Sequence, residues 1–284
     1  MASLWDPVTV ESIGKKVVRG IEDFDANVRS IGDLLSFGLA DDKYSFLYQV
    51  AGSISLAIGG VCLAMAVIYA YMAIIKEGLT LRGDWKRIVT ILLKLAIAKG
   101  LIDCSTQFIT WIYSFFAKIS QLVIEITTNK SEGSLGAFIN PQDITNGLGI
   151  DENTGKLTLH IVNQYANLIG FFFFILGVFL FIIALARILK IYLLLSFGAI
   201  AFAKIPLYGF EGCKDYVKEM KALGLQGAII SGAIGLYEIA ICNISDIVTI
   251  KSVWGSFGSI LVVSISLMLL ISKSEELARK YEVI

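Results

Sequence analysis

Histidine occurs once in these 284 residues, at His160. That scarcity removes an HExxH zinc site and argues against a Ser-His-Asp triad. Cysteine is almost as rare. Cys62, Cys104, Cys213 and Cys242 form no CxxC pair, and three of them lie in apolar segments, where cysteine behaves as a small hydrophobe. Neither a metal site nor a cofactor is expected. No Walker A sequence is present, so the chain carries no nucleotide motor of its own. No basic stretch runs into a short apolar core near the N-terminus, so no signal peptide is expected. Net charge is absent too: 24 basic residues balance 24 acidic ones, against any basic nucleic-acid-binding surface covering the whole molecule.

The most telling absence is local. Residues 44–75, 161–186 and 252–272 contain no charged side chain at all. Each run is at least as long as the ~20 helical residues that cross a bilayer's hydrocarbon core. A soluble helix of that length needs one face for water. With 56% hydrophobic residues overall, the chain reads as one membrane domain rather than several globular ones.

What remains organises around those runs. The predicted fold is an all-α, polytopic integral membrane bundle with five spans, at about 46–75, 88–116, 162–186, 223–250 and 252–272. An N-terminal amphipathic helix precedes them within 1–43. Its apolar residues Val10, Ile13, Val17, Ile21, Phe24, Val28, Ile31 and Leu35 recur in steps of three and four. Such a helix either lies on the membrane surface or packs on other parts of the same protein. A polar loop is expected over 118–160, with a strand-like run around His160. Residues 191–203 are apolar but too short to cross, and Lys204 and Pro206 end them, so a partial or re-entrant segment is predicted.

Lysine and arginine placement orients the chain. Lys76, Arg82, Lys86 and Arg87 follow the first span, and Arg187, Lys190, Lys204, Lys214, Lys218 and Lys221 follow the third. Both groups belong in the cytoplasm, together with the tail 273–284. The acid-rich N-terminal region and the long loop then lie outside a bacterial plasma membrane. The basic face after the third span could also hold anionic headgroups or touch a translocating strand.

Polar residues inside the spans are the candidate functional groups. Lys99 and Asp103 are one turn apart and able to pair; Glu238 sits midway along the fourth span, with Asn243 and Asp246 further out. They could line a water-filled path or hold neighbouring subunits, but an ion pair between helices, Lys99 with Asp103 or with Glu238, explains them as well. Gly227, Ser231 and Gly235, and again Gly255 and Ser259, set small residues four apart, which lets helix backbones approach closely within or between subunits. Asp103 and Glu238 have no flanking motif that would make them a catalytic pair, so no enzymatic activity is expected.

The C-terminal half carries a resemblance. Arg187, Lys190, Ile191 and Tyr192 leave the third span before an incomplete apolar segment. "DYVKEMKALGLQGAII" follows, with Tyr216 and Lys218 and the run Leu225, Gln226, Gly227. With "ILLKLAIAKGLI" in the second span, this resembles the TrbL-like conjugal transfer family, the polytopic membrane subunit of type IV secretion systems, in its Gram-positive form. One position departs: that family usually has a proline in the partial segment, where Phe197 and Gly198 here precede Ala199. The resemblance implies a channel subunit that forms a ring with its own copies, a pentamer being one closed form. It also implies scaffold subunits and ATPases as partners, and a single DNA strand with its relaxase, or a protein, as cargo. The competing reading is a small transporter or ion channel acting alone, for which a broken helix at 191–203 beside midplane acids would be the characteristic feature.

Overall fold

Long runs of Leu, Ile, Ala and Phe without charge leave the backbone only itself to bond to, and helix is the result. The computed structural model describes residues 9–36, 39, 44–79, 85–128, 155–242 and 255–282. In chain order these form α1 (Val10–Ser36), α2 (Ser45–Leu79), α3 (Trp85–Asp103), α4 (Ser105–Thr128), α5 (Lys156–Phe202), α6 (Ile205–Tyr208), α7 (Glu211–Cys242), α8 (Gly255–Ser272) and α9 (Ser274–Glu282). Among the described residues, four stretches are long and apolar enough to cross a membrane: Ser45–Glu77, Ser105–Thr127, Lys156–Phe202 and Glu211–Ala240. Ile260–Ser272 is a shorter apolar helix. The chain is an all-α, polytopic membrane protein.

Three local expectations change. The stretch predicted as one span over 88–116 is two helices meeting at Cys104, although the bonds Cys104 N to Gly100 O and Phe108 N to Cys104 O, both 3.0 Å, keep the helical pattern nearly continuous. The run around His160, predicted strand-like, is helical from Lys156. Leu159 N bonds Gly155 O at 3.1 Å and the Leu159 side chain packs on a buried core, so the long helix propagates back over it. At the other end of the predicted loop, α4 runs on to Thr128; residues 129–154 lie outside the described ones.

The third change is the largest. Helix α5 does not stop at Arg187 and Lys190 but runs through residues 191–202 unbroken, 47 residues in all. That is about 70 Å of helix, more than twice the ~30 Å hydrocarbon core. The turn comes only at Lys204, where α6 places Pro206 in its first turn and Gly209 closes it at φ 63°, bonding Ile205 O at 2.8 Å. That left-handed backbone is one glycine adopts without strain.

Packing divides the chain into two units. One gathers Met1–Leu35, Ser120–Ala184 and Ile229–Ser274. Its core is the apolar face of α1, with Ile13, Val17, Ile21, Phe24, Val28, Ile31 and Leu35 all essentially fully buried. They pack against Phe173, Leu176 and Leu180 of α5, Ile230, Ile234 and Tyr237 of α7, and Leu267 and Ile271 of α8. Of the two readings of the amphipathic helix, packing on the protein itself is the one formed. Phe24 stands 5.6 Å from Phe173 and 6.0 Å from Tyr237 between ring centroids. The closest approach is backbone on backbone: a Cβ on Gly20 would lie 2.9 Å from the Cα of Gly170.

The other unit gathers Ser36–Ile119, Leu185–Ala228 and Glu275–Ile284. Small side chains dominate its core, with Cys62 and Ala66 of α2, Ala98 of α3, and Ala199 and Ala203 after them. An aromatic ladder runs through Phe108, Phe202 and Tyr216, at 6.0 and 5.8 Å between centroids. Tyr216 donates to Leu194 O at 2.9 Å across Gly198, whose missing Cβ would sit 2.6 Å from the phenol oxygen. Tyr192 donates to Leu39 O, also at 2.9 Å.

The Gly20 approach is one-sided, because a Cβ on Gly170 would meet open space. Alanine is otherwise the better helix former by about 1 kcal/mol. Gly20→Ala should therefore lower the thermal stability of the detergent-solubilised protein by roughly 1–3 kcal/mol, while Gly170→Ala leaves it unchanged or raised. Equal effects at the two positions would rule out this seating of α1.

Candidate functional site

Arg187 is the charge the sequence reading least anticipated in this position. The sequence predicts it on a cytoplasmic basic face, and α5 turns it inward instead, to 4% exposure. Its Nε and Nη2 both donate to Leu223 O on α7, at 3.2 and 3.0 Å. The guanidinium carbon lies 5.7 Å from the centroid of the Tyr113 ring, a cation–π distance. One turn beyond Leu223, a Cβ on Gly227 would collide with Nη2. Gly227 is therefore small to admit the guanidinium. Arginine suits the site because its planar fork reaches one acceptor with two donors and stacks on a ring at once.

A turn further along α5, Lys190 enters an ion network. Its Nζ lies 2.9 Å from Glu219 of α7 and 2.6 Å from Glu275 of α9, and Arg279 of α9 bridges the same two carboxylates at 2.7 and 3.0 Å. Two cations and two anions close the set without net charge. Lys190 above all, and then Arg279, holds the Glu275 carboxyl below the usual carboxylate range. Of the remaining predicted basic residues, Lys214 pairs with Glu211 at 3.1 Å, whereas Lys204, Lys218 and Lys221 are exposed and make no ion pair among the described residues.

A second polar cluster stands in the other unit. Glu238, placed midway along the fourth span by sequence, has its side chain only 11% exposed and lies 3.8 Å from Arg29 of α1. Arg29 also reaches Asp25 at 3.2 Å, one helical turn before it. Asp25 is buried while Arg29 is exposed, so α1 carries a carboxylate into the packed side of the unit and answers it with a cation at the edge. Sequence reasoning found Glu238 but not its partners. The signal available was the i, i+4 pair Asp25 and Arg29 flanking Phe24 and Val28.

Lys99 and Asp103 are not brought together: both are exposed, with no ion pair between them. Ser231 is fully buried, and Gly235 leaves room for Thr127 of α4. Gly255 and Ser259 fall in the first turns of α8, and Asn243 lies outside the described residues.

A family model described as TrbL/VirB6 plasmid conjugal transfer like protein matches residues 37–199. The chain belongs to this family. No curated protein and no solved structure matches it. The match takes in α2, α3, α4 and most of α5, with Arg187 and Lys190 among its residues. It stops short of α7, so Tyr216, Lys218 and the run Leu225, Gln226, Gly227 lie beyond the matched region. Membership makes the chain a membrane component of a conjugal transfer system.

Two outcomes test the second unit's cluster. Arg187→Lys keeps the charge but loses the fork and the stacked plane, so it should destabilise by roughly 1.5–3 kcal/mol, close to the loss in Arg187→Ala. A lysine that restored full thermal stability would show that charge alone matters there. Glu275 sets a pH dependence. Its folded pKa is depressed, so its contribution is complete above the unfolded value of ~4.3 and is lost as pH falls through the lower folded value. The wild-type unfolding midpoint should therefore drop more steeply below about pH 4.3 than that of Glu275→Gln. Parallel curves would exclude the bridge as the source.

Proposed function

We propose that the chain is a non-enzymatic channel or scaffold subunit of a type IV secretion machine, closing with copies of itself into a ring. In this reading it forms part of the path of a single DNA strand with its attached protein. The family match over the apolar helices carries the proposal. Two properties of the molecule support it. The chain has no Walker A sequence, so an ATPase partner must supply the energy. Its helices also leave much apolar surface open, as at Phe171, Phe174 and Phe181 of α5 and Leu56 and Tyr71 of α2, for lipid and for neighbouring copies.

Lys204, Lys218 and Lys221 fit a cytoplasmic face of a bacterial plasma membrane, where anionic headgroups or the motor would meet them. A transporter working alone loses its main support, because the broken helix that favoured it is not formed: α5 is continuous past residue 191.

Extraction into nanodiscs with native lipids, followed by imaging, should show a closed ring with a central opening. Deletion of the chain should abolish conjugal transfer, and restoring it should recover transfer. A protein that is strictly monomeric in its native membrane would overturn the proposal.

A further inference from the structure

The seating of α1 fixes its depth. Lys16 Nζ meets Asn163 Oδ1 at 2.7 Å, the Gly20 backbone meets Gly170, Phe24 meets Phe173, and Asn27 lies against Gly177. The partner numbers climb together in both helices, so α1 runs beside α5 in the same direction. Its burial continues to Leu35, in the same core as Ala184. Helix α1 is thus laid along nearly the whole of the charge-free run 161–186, with Phe24 opposite the middle of that run.

That run belongs in hydrocarbon. Its polar side chains Asn163, Gln164 and Asn167 gather at its start; from Leu168 on it is wholly apolar, and Phe171, Phe174, Ile175 and Ile182 stand exposed along it. A helix packed beside it shares its depth. Yet the outward face of α1 carries Lys15, Arg19, Glu22 and Asp23, all exposed. Each such charge facing lipid near the midplane costs about 2.5–3.5 kcal/mol on insertion scales. Turning the helix over is not an alternative, because the opposite face is the core of the unit. The Arg29–Glu238 pair ties α1 to the last turn of the apolar stretch Glu211–Ala240.

We propose that α1 is embedded at bilayer depth and that its charged face borders a water-filled passage, enclosed only when further copies of this chain associate. The inference rests on the channel reading above and adds to it the lining element, which lies outside the matched family region. In a closed ring every lining residue repeats as a belt. Glu22 and Asp23 would form an acidic belt near the midplane, with Arg19 and Lys15 forming a basic one toward the N-terminal end.

The test is thiol accessibility in native membranes, on the full chain with its four cysteines replaced by alanine. Glu22→Cys and Asp23→Cys, at two exposed positions, are compared with Phe174→Cys on the apolar face of α5. A charged, membrane-impermeant thiol reagent is admitted from both sides. Both α1 positions should react at least about tenfold faster than Phe174→Cys, since a thiol in hydrocarbon does not ionise. Slow reaction at all three would mean that lipid or another protein covers α1, and would overturn the inference. Fast reaction at all three would place the 161–186 run outside hydrocarbon and overturn it as well. Cross-linking of the same membranes separates the two readings. Slow labelling of α1 in an oligomer overturns this inference alone. Fast labelling in a strict monomer overturns the channel reading, and with it the enclosure by copies.

Discussion

Hydrocarbon has no hydrogen-bonding partner to offer, so a charge that this chain buries among its apolar helices must be answered by the protein. The length of α5 depends on that requirement. A helix of 47 residues with Arg187 and Lys190 in its sequence holds together because α7 receives both: Leu223 O and the space at Gly227 take the guanidinium, and Glu219 takes the ammonium with help from Glu275 of α9. Remove those receptors and the same two residues become what they look like in isolation, a membrane-edge stop. The bond from Arg187 to Leu223 O is made to a carbonyl rather than to a carboxylate. It therefore positions the guanidinium without cancelling its charge; the Tyr113 ring adds electrostatic support, and Nη1 stays buried with no hydrogen-bond partner among the described residues.

Glycine works in this chain mainly as absent volume. In a membrane the hydrophobic effect does not push helices together, and close packing has to do more of that work. Gly227 admits an arginine, Gly235 a threonine, Gly198 a tyrosine hydroxyl, and Gly20 the backbone of α5 itself. Four different occupants show why spacing alone says so little about partners. The four-residue repeat Gly227, Ser231, Gly235 was visible in the sequence, but nothing in it distinguishes a side-chain socket from a helix crossing.

Much of the fold was legible because its signals are local. Charge-free runs and a step of three to four residues declare themselves within one helix, and α1, α2, α5 and α8 were found that way. What was not legible depends on residues far apart in the chain. Arg187 reads as the end of a span until Leu223 and Tyr113 are known to surround it. Glu238 reads as a midspan acid that Lys99 could pair with until Arg29, on the far side of the sequence, is seen to face it. The interruption at Cys104 left no mark, since neither neighbour is a proline and the hydrogen bonds pass almost unbroken through it. Around His160 the error had the opposite origin: alternation over a few residues suggested a strand, and the propagation of a long adjoining helix overrode it.

The composition of α1 bears on how a passage could carry a polyanion without trapping it. A wholly basic lining would bind a DNA backbone through counterion release and slow its exit, while a wholly acidic one would repel it at the mouth. Conduction needs attraction strong enough for arrival and weak enough for departure. The exposed face of α1 mixes the signs: Lys15, Lys16 and Arg19 in its first half are offset by Glu11, Glu22 and Asp23. Part of that charge is already engaged, Lys15 with Glu11 at 2.6 Å and Lys16 with Asn163, which softens the basic end further. In the proposed passage, a zwitterionic wall of this kind would keep water at bilayer depth while holding no single charge on the cargo tightly. The mixture of signs in the whole chain is thus repeated along the helix proposed to line that passage.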